Sequence, residues 1–173
     1  MKKLFIMAVI ALAIFTSCAS LVANSTGMTQ EDSAYRIIPK TPGENRALAI
    51  FYGPEYLKEK ENKRAEIEMR EPNYEMIPEY GYISIKIQGW TAETANPEYW
   101  LFIVQDGNQN EIYRDYGLPS IPNGHIGYLG NAHYTSTWSN FHNILLMDEP
   151  IYPLYLRVIS PDKTNIDITI IKK

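Results

Sequence analysis

Three isoleucines at alternate positions, Ile83, Ile85 and Ile87, stand against Ser84, Lys86 and Gln88, and Ile166, Ile168 and Ile170 repeat the pattern near the end of the chain. Successive side chains of a strand point to opposite faces, so each run gives one apolar and one wet face. Such strands fold only if a second layer covers the apolar side. Other runs agree. ALAIFY (47–52) is a compact apolar run closed by Gly53-Pro54, and YWLFIVQ (99–105) is continuous enough for a central strand. The turn-rich Asp106 to Asn110 joins YWLFIVQ to EIYRD (111–115) as a hairpin, and Pro161 to Thr164 joins LYLRVIS (154–160) to NIDITII (165–171) as another. Ala65, Ile67 and Met69 alternate with Glu66, Glu68 and Arg70 and predict a further strand, while the charged Pro54 to Lys63 allows at most a short surface helix. Weaker strand candidates are YTSTW (134–138) and NILLM (143–147).

About eight strands with no alternating helices predict an all-β, antiparallel β-sandwich, immunoglobulin-like or similar, with one short helix at most. A lipocalin-like β-barrel is the alternative, because barrel strands alternate in the same way. The lipocalin Gly-x-Trp signature is missing, since Gly89 and Trp90 are adjacent and follow a mid-chain strand.

The first residues carry a different signal. Lys2 and Lys3 precede an unbroken apolar run from Leu4 to Phe15, the length of a signal-peptide core and too short to span a hydrocarbon layer of about 30 Å. Small Thr16 and Ser17 then lead to Cys18, the chain's single cysteine. The stretch Phe15-Thr16-Ser17-Cys18 resembles the lipobox of bacterial lipoproteins, departing from it in having Phe15 where an aliphatic residue is usual. That resemblance implies cleavage before Cys18, acyl chains on its sulfur as the membrane attachment, and, with Ala19 rather than Asp next, transport to the outer membrane. Several chains on one cysteine hold firmly, each buried methylene adding about 0.8 kcal/mol. The competing reading is cleavage after Leu21-Val22-Ala23, which would discard Cys18 and release a soluble secreted or periplasmic protein. The expected organisation is therefore a signal peptide over 1–17, a lipidated cysteine and flexible tether over 18–44, and a β-domain over 45–173. Within the tether, YRII (35–38) could dock as an edge strand.

Loss of Lys2 and Lys3 with the leader takes the net charge from −4 to near −6, and no basic cluster remains to attract nucleic acid. With one cysteine no disulfide forms within the chain, so an exported domain here depends on its core. The Asp106, Asn108, Asn110 spacing suits a calcium loop, but the EF-hand positions for Gly and Glu hold Glu111 and Gly117. His125, His133 and His142 lack the short spacings of metal ligands and read as surface or loop residues. Gly124, Gly127 and Gly130 lie in LPSIPNGHIGYLGN (118–131), which reads as a long inter-strand loop without the flanking strand and helix of a phosphate site. No Gly-x-Ser-x-Gly, His-Glu-x-x-His or Cys-His pattern occurs, and neither an enzyme nor a cofactor is implied.

Aromatic residues make up 12% of the chain, and their large rigid faces suit recognition of a protein or glycan partner. Trp90, Trp100, Tyr128 and Trp138 are the candidate contact residues. The carrier alternative would place a small hydrophobic ligand inside a barrel.

Overall fold

The computed structural model describes residues 30–41, 44–129 and 133–173, with backbone alone over 125–129 and 133–136. The expected signal peptide over 1–17, Cys18 and the start of the expected tether lie outside the described residues. The strands are β1 (Tyr35–Pro39), β2 (Ala47–Tyr52), β3 (Tyr82–Gly89), β4 (Leu101–Gln105), β5 (Glu111–Tyr116), β6 (Asn123–Leu129), β7 (His133–Leu145), β8 (Leu154–Ile159) and β9 (Asn165–Lys172). Among the described residues one α-helix, α1 (Pro54–Glu68), follows β2, and a single 3₁₀ turn spans Pro97–Tyr99 before β4. Every pairing is antiparallel, in a five-stranded sheet ordered β1-β9-β8-β4-β5 and a four-stranded sheet ordered β2-β3-β7-β6. The fold is thus an all-β sandwich; the barrel alternative is corrected, since the strands divide into two sheets.

The alternating isoleucines do what their period dictates. Ile83, Ile85 and Ile87 point inward with Phe51 and Ile144, and meet Phe102, Val104, Leu154, Leu156, Val158, Ile166, Ile168 and Ile170 from the other sheet. These side chains fill the interior. Two plugs close the layer. At one end Tyr35, Phe51 and Tyr152 cluster, with ring centroids 4.4 to 6.1 Å apart. At the other, Trp100 is 1% exposed and donates its indole Nε1–H to the Thr94 carbonyl at 2.8 Å.

Three expectations about elements need correction. The alternating Ala65 to Arg70 is not a strand, because α1 continues to Glu68 and Met69 caps it in the left-handed region. Pro54 at the first turn and the Glu59–Lys63 and Arg64–Glu68 pairs four residues apart favour helix, and only Ala65 of the alternating set is buried. The 118–131 stretch is not all loop: β6 pairs with β7 from Asn123 opposite Ser139 to Leu129 opposite His133. β7 also fuses the two weak candidates through Ser139–His142, and outruns β3, which pairs only with Trp138–Leu145. Gly124 lies under Trp138, where a Cβ would come within 3.1 Å of the indole.

The expected tether also proves partly folded. β1 is an edge strand on β9, as YRII suggested, so folded structure extends upstream of residue 44. Just before it, the Gln30 amide donates to the Phe51 carbonyl at 2.7 Å and accepts from the Phe51 N–H at 3.0 Å. Buried Asp32 accepts from Ala34 N–H and Gly53 N–H, both at 3.0 Å. These bonds tie the N-terminal stretch to the end of the sandwich that Tyr35 plugs. At Gly81, φ is +80° and a Cβ would lie 2.2 Å from the Tyr52 carbonyl, so the turn into β3 requires glycine.

Candidate functional site

The strand directions sort the loops into two groups. Residues 30–34, the α1 region, 106–110 and 146–153 lie at the N-terminal entry end; residues 90–100, 117–122 and 160–164 lie at the opposite, distal end. Two distal segments are tied side by side. Gly117 N–H donates to the Pro97 carbonyl at 3.1 Å, Ser120 N–H to Asn96 Oδ1 at 3.3 Å, and the Asn140 amide on β7 to Ser120 Oγ at 2.9 Å.

On this fixed rim Trp90 is 72% exposed, Leu118 77% and Ile121 92%, with Tyr99 and Tyr116 also exposed. Water-exposed apolar side chains held by a rigid scaffold are what a partner interface supplies: area to bury without ordering a floppy loop. Thr91 and Thr94 lock the Trp90 loop from below, each backbone N–H donating to the other's hydroxyl at 3.0 and 3.1 Å.

The four aromatic candidates separate. Trp90 is on the rim, and Trp138 is half-buried over Gly124. Trp100 is corrected to a core residue: the strand it precedes feeds it inward, where its N–H finds a carbonyl. The Tyr128 side chain lies outside the described residues. Leu118 and Ile121 were missed, because Pro119 and Pro122 mark the stretch as a loop and an exposed aliphatic in a loop carries no periodic signal.

The polar candidates resolve as structural. Asp106 Oδ1 accepts from Asn108 N–H at 2.9 Å and Asn110 N–H at 2.8 Å, and Oδ2 from the Asn110 amide at 3.1 Å, so the carboxylate closes its own hairpin. No cluster of three potential metal ligands occurs among the described residues. His142 is not a surface or loop residue: it points inward from β7, stacks on Phe102 with centroids 4.2 Å apart, and lies 3.1 Å from the Tyr113 hydroxyl. Burial holds its pKa below the ordinary imidazole value, while nearby Asp115 pulls the other way. The His125 and His133 side chains lie outside the described residues. No family model, curated protein or solved structure matches the chain.

Proposed function

We infer that this is a bacterial envelope lipoprotein, held by acyl chains on Cys18 and most at home in the outer membrane, whose non-catalytic sandwich presents its distal rim to a protein partner. The observation that carries the reading is the exposure of Trp90, Tyr116, Leu118 and Ile121 on hydrogen-bonded neighbouring segments, at the end opposite the entry of the Cys18-bearing stretch. A lipid at the entry end would turn that rim away from the bilayer. The entry end also exposes Met69, Met76, Met147 and Ile151, but among Glu71, Glu75, Asp148 and Glu149, which an anionic lipid surface would repel. The carrier reading loses its container, because the interior between the sheets is occupied by side chains.

Two measurements test this. Metabolic labelling with a palmitate analogue should mark the wild type and not Cys18→Ala; an unlabelled wild type ends the lipoprotein reading. A photo-crosslinking residue in place of Ile121 should give one discrete protein adduct in intact cells, absent when the same residue replaces Met69. Equal adducts at both positions would remove the distal rim from consideration.

A further inference from the structure

The outer face of the five-stranded sheet carries a second site, independent of the rim and of the lipid. Cross-strand register places Arg114 of β5, Ile103 of β4, Arg157 of β8 and Asp167 of β9 in one row. The next row brings Gln105 of β4 beside Tyr155 of β8. Together with Lys40, just past β1, they line a groove of about 380 Å³, within the range of small-ligand sites, about 300–1,000 Å³.

Its chemistry differs from that of the chain as a whole. The protein is net acidic, yet three cations and one carboxylate line this groove. Both arginines are pre-oriented. Arg157 donates through Nε and Nη2 to the two Asp167 oxygens at 2.7 and 3.0 Å, and Arg114 likewise to Glu111 at 2.8 and 2.6 Å. These bonds hold the Asp167 and Glu111 carboxyls below their usual range. Each guanidinium uses Nε and Nη2 on its carboxylate, and Nη1 has no protein partner among the described residues. Lys40 Nζ lies 6.0 Å from the centre of the Tyr155 ring and forms no ion pair among the described residues. Ile103, 8% exposed, floors the groove between the arginines.

A ligand suited to this surface needs an apolar face for Tyr155 and Ile103, hydroxyls for Gln105 and Asp167, and a negative charge for Lys40 and the free arginine edges. A sugar ring has C–H faces and a rim of hydroxyls, and an acidic one adds the carboxylate. An acidic peptide would satisfy the cations but leave Gln105 and Asp167 less well matched. We propose that the groove over β5, β4, β8 and β9 binds an acidic saccharide, its carboxylate toward Arg114, Arg157 and Lys40 and its ring on Tyr155.

Sialic acid termini and uronic acid chains share this chemistry, so the test uses both: 3′-sialyllactose and trigalacturonate, titrated calorimetrically into the folded chain, with lactose as neutral control and poly-glutamate as acidic peptide control. At least one acidic sugar should bind, and lactose should not. Arg114→Gln and Arg157→Gln should each weaken it at least about tenfold, the loss of one charge-assisted hydrogen bond. Arg64→Gln on α1 should leave it unchanged, and thermal melts report whether each variant is folded. Binding of neither acidic sugar, equal binding of lactose, poly-glutamate binding as tightly as the sugars, or indifference to both arginine substitutions in folded protein would each overturn the proposal. The rim reading survives any of these results, because no rim residue enters the groove.

Discussion

The two ends of the sandwich are closed by the same means and finished differently. At the entry end three rings, Tyr35, Phe51 and Tyr152, fill the gap between the sheets, and Gln30 and Asp32 stitch the incoming chain over them. At the distal end one ring, Trp100, does the filling, and the loops above it turn Trp90, Leu118 and Ile121 outward. Trp100 is buried and Trp90, ten residues before it, is exposed, so the same loop carries one ring that holds the core and one that is open to solvent. The entry end packs a cluster of three rings against the core; the distal end buries Trp100, half-buries Trp138 and leaves Trp90 exposed.

The largest expected effect tests the distal plug. Trp100→Ala should lower unfolding free energy by about 3–5 kcal/mol, read from urea denaturation, because the indole is buried and its N–H bonded. A loss below about 1 kcal/mol would mean that the distal end is not sealed by this ring. Next comes the entry stitch. Asp32→Ala leaves the Gly53 and Ala34 N–H groups without their acceptor and should cost about 1–3 kcal/mol, with faster amide exchange in β1 than in β8. Uniform acceleration across both strands would show that the entry stretch does not open separately.

Between the two ends, His142 gives the core a pH dependence. Its folded pKa is depressed, so the unfolded chain takes up the proton more readily. Its contribution is therefore fully present above the ordinary imidazole value of about 6.5 and lost as pH falls through that value toward the lower folded one. Groups facing the ring are the Tyr113 hydroxyl, Asp115 and Phe102. The melting temperature of wild type should fall from pH 7 to pH 5 more than that of His142→Gln; parallel curves would acquit the histidine. The smallest stability effect belongs to Trp90→Ser, expected within about 0.5 kcal/mol of wild type while abolishing the Ile121-position crosslink. A marked destabilisation would make Trp90 a second plug and erase the contrast between the ends.

Much of the sandwich was legible because β3, β8 and β9 are long enough for period two to stand out and bury one full face, and because β4 lies in a continuous apolar run. The same alternation misled over Ala65 to Arg70, where no partner strand covers Ile67 or Met69 and the side-chain pairs belong to a helix. β6 was illegible because its glycines and the Pro119 and Pro122 just before it argue for a loop, and only pairing with β7 makes it a strand. For the sites, strand phase puts Arg157 and Asp167 outward together through their own hairpin. What joins them to Arg114 is the β4–β8 pairing, a contact between distant segments that no local pattern encodes. Trp90 and Trp100 were indistinguishable for a similar reason: their burial depends on how the 90–100 loop folds back over the core.

The Gln30 amide has a further consequence. β2 is the edge of its sheet, and the Phe51 N–H and carbonyl that Gln30 occupies are the groups an incoming strand would seek. A single side chain thus imitates one rung of the ladder and takes the Phe51 rung of this border out of reach of an incoming strand, one of the ways exposed sheet edges are blunted against edge-to-edge pairing.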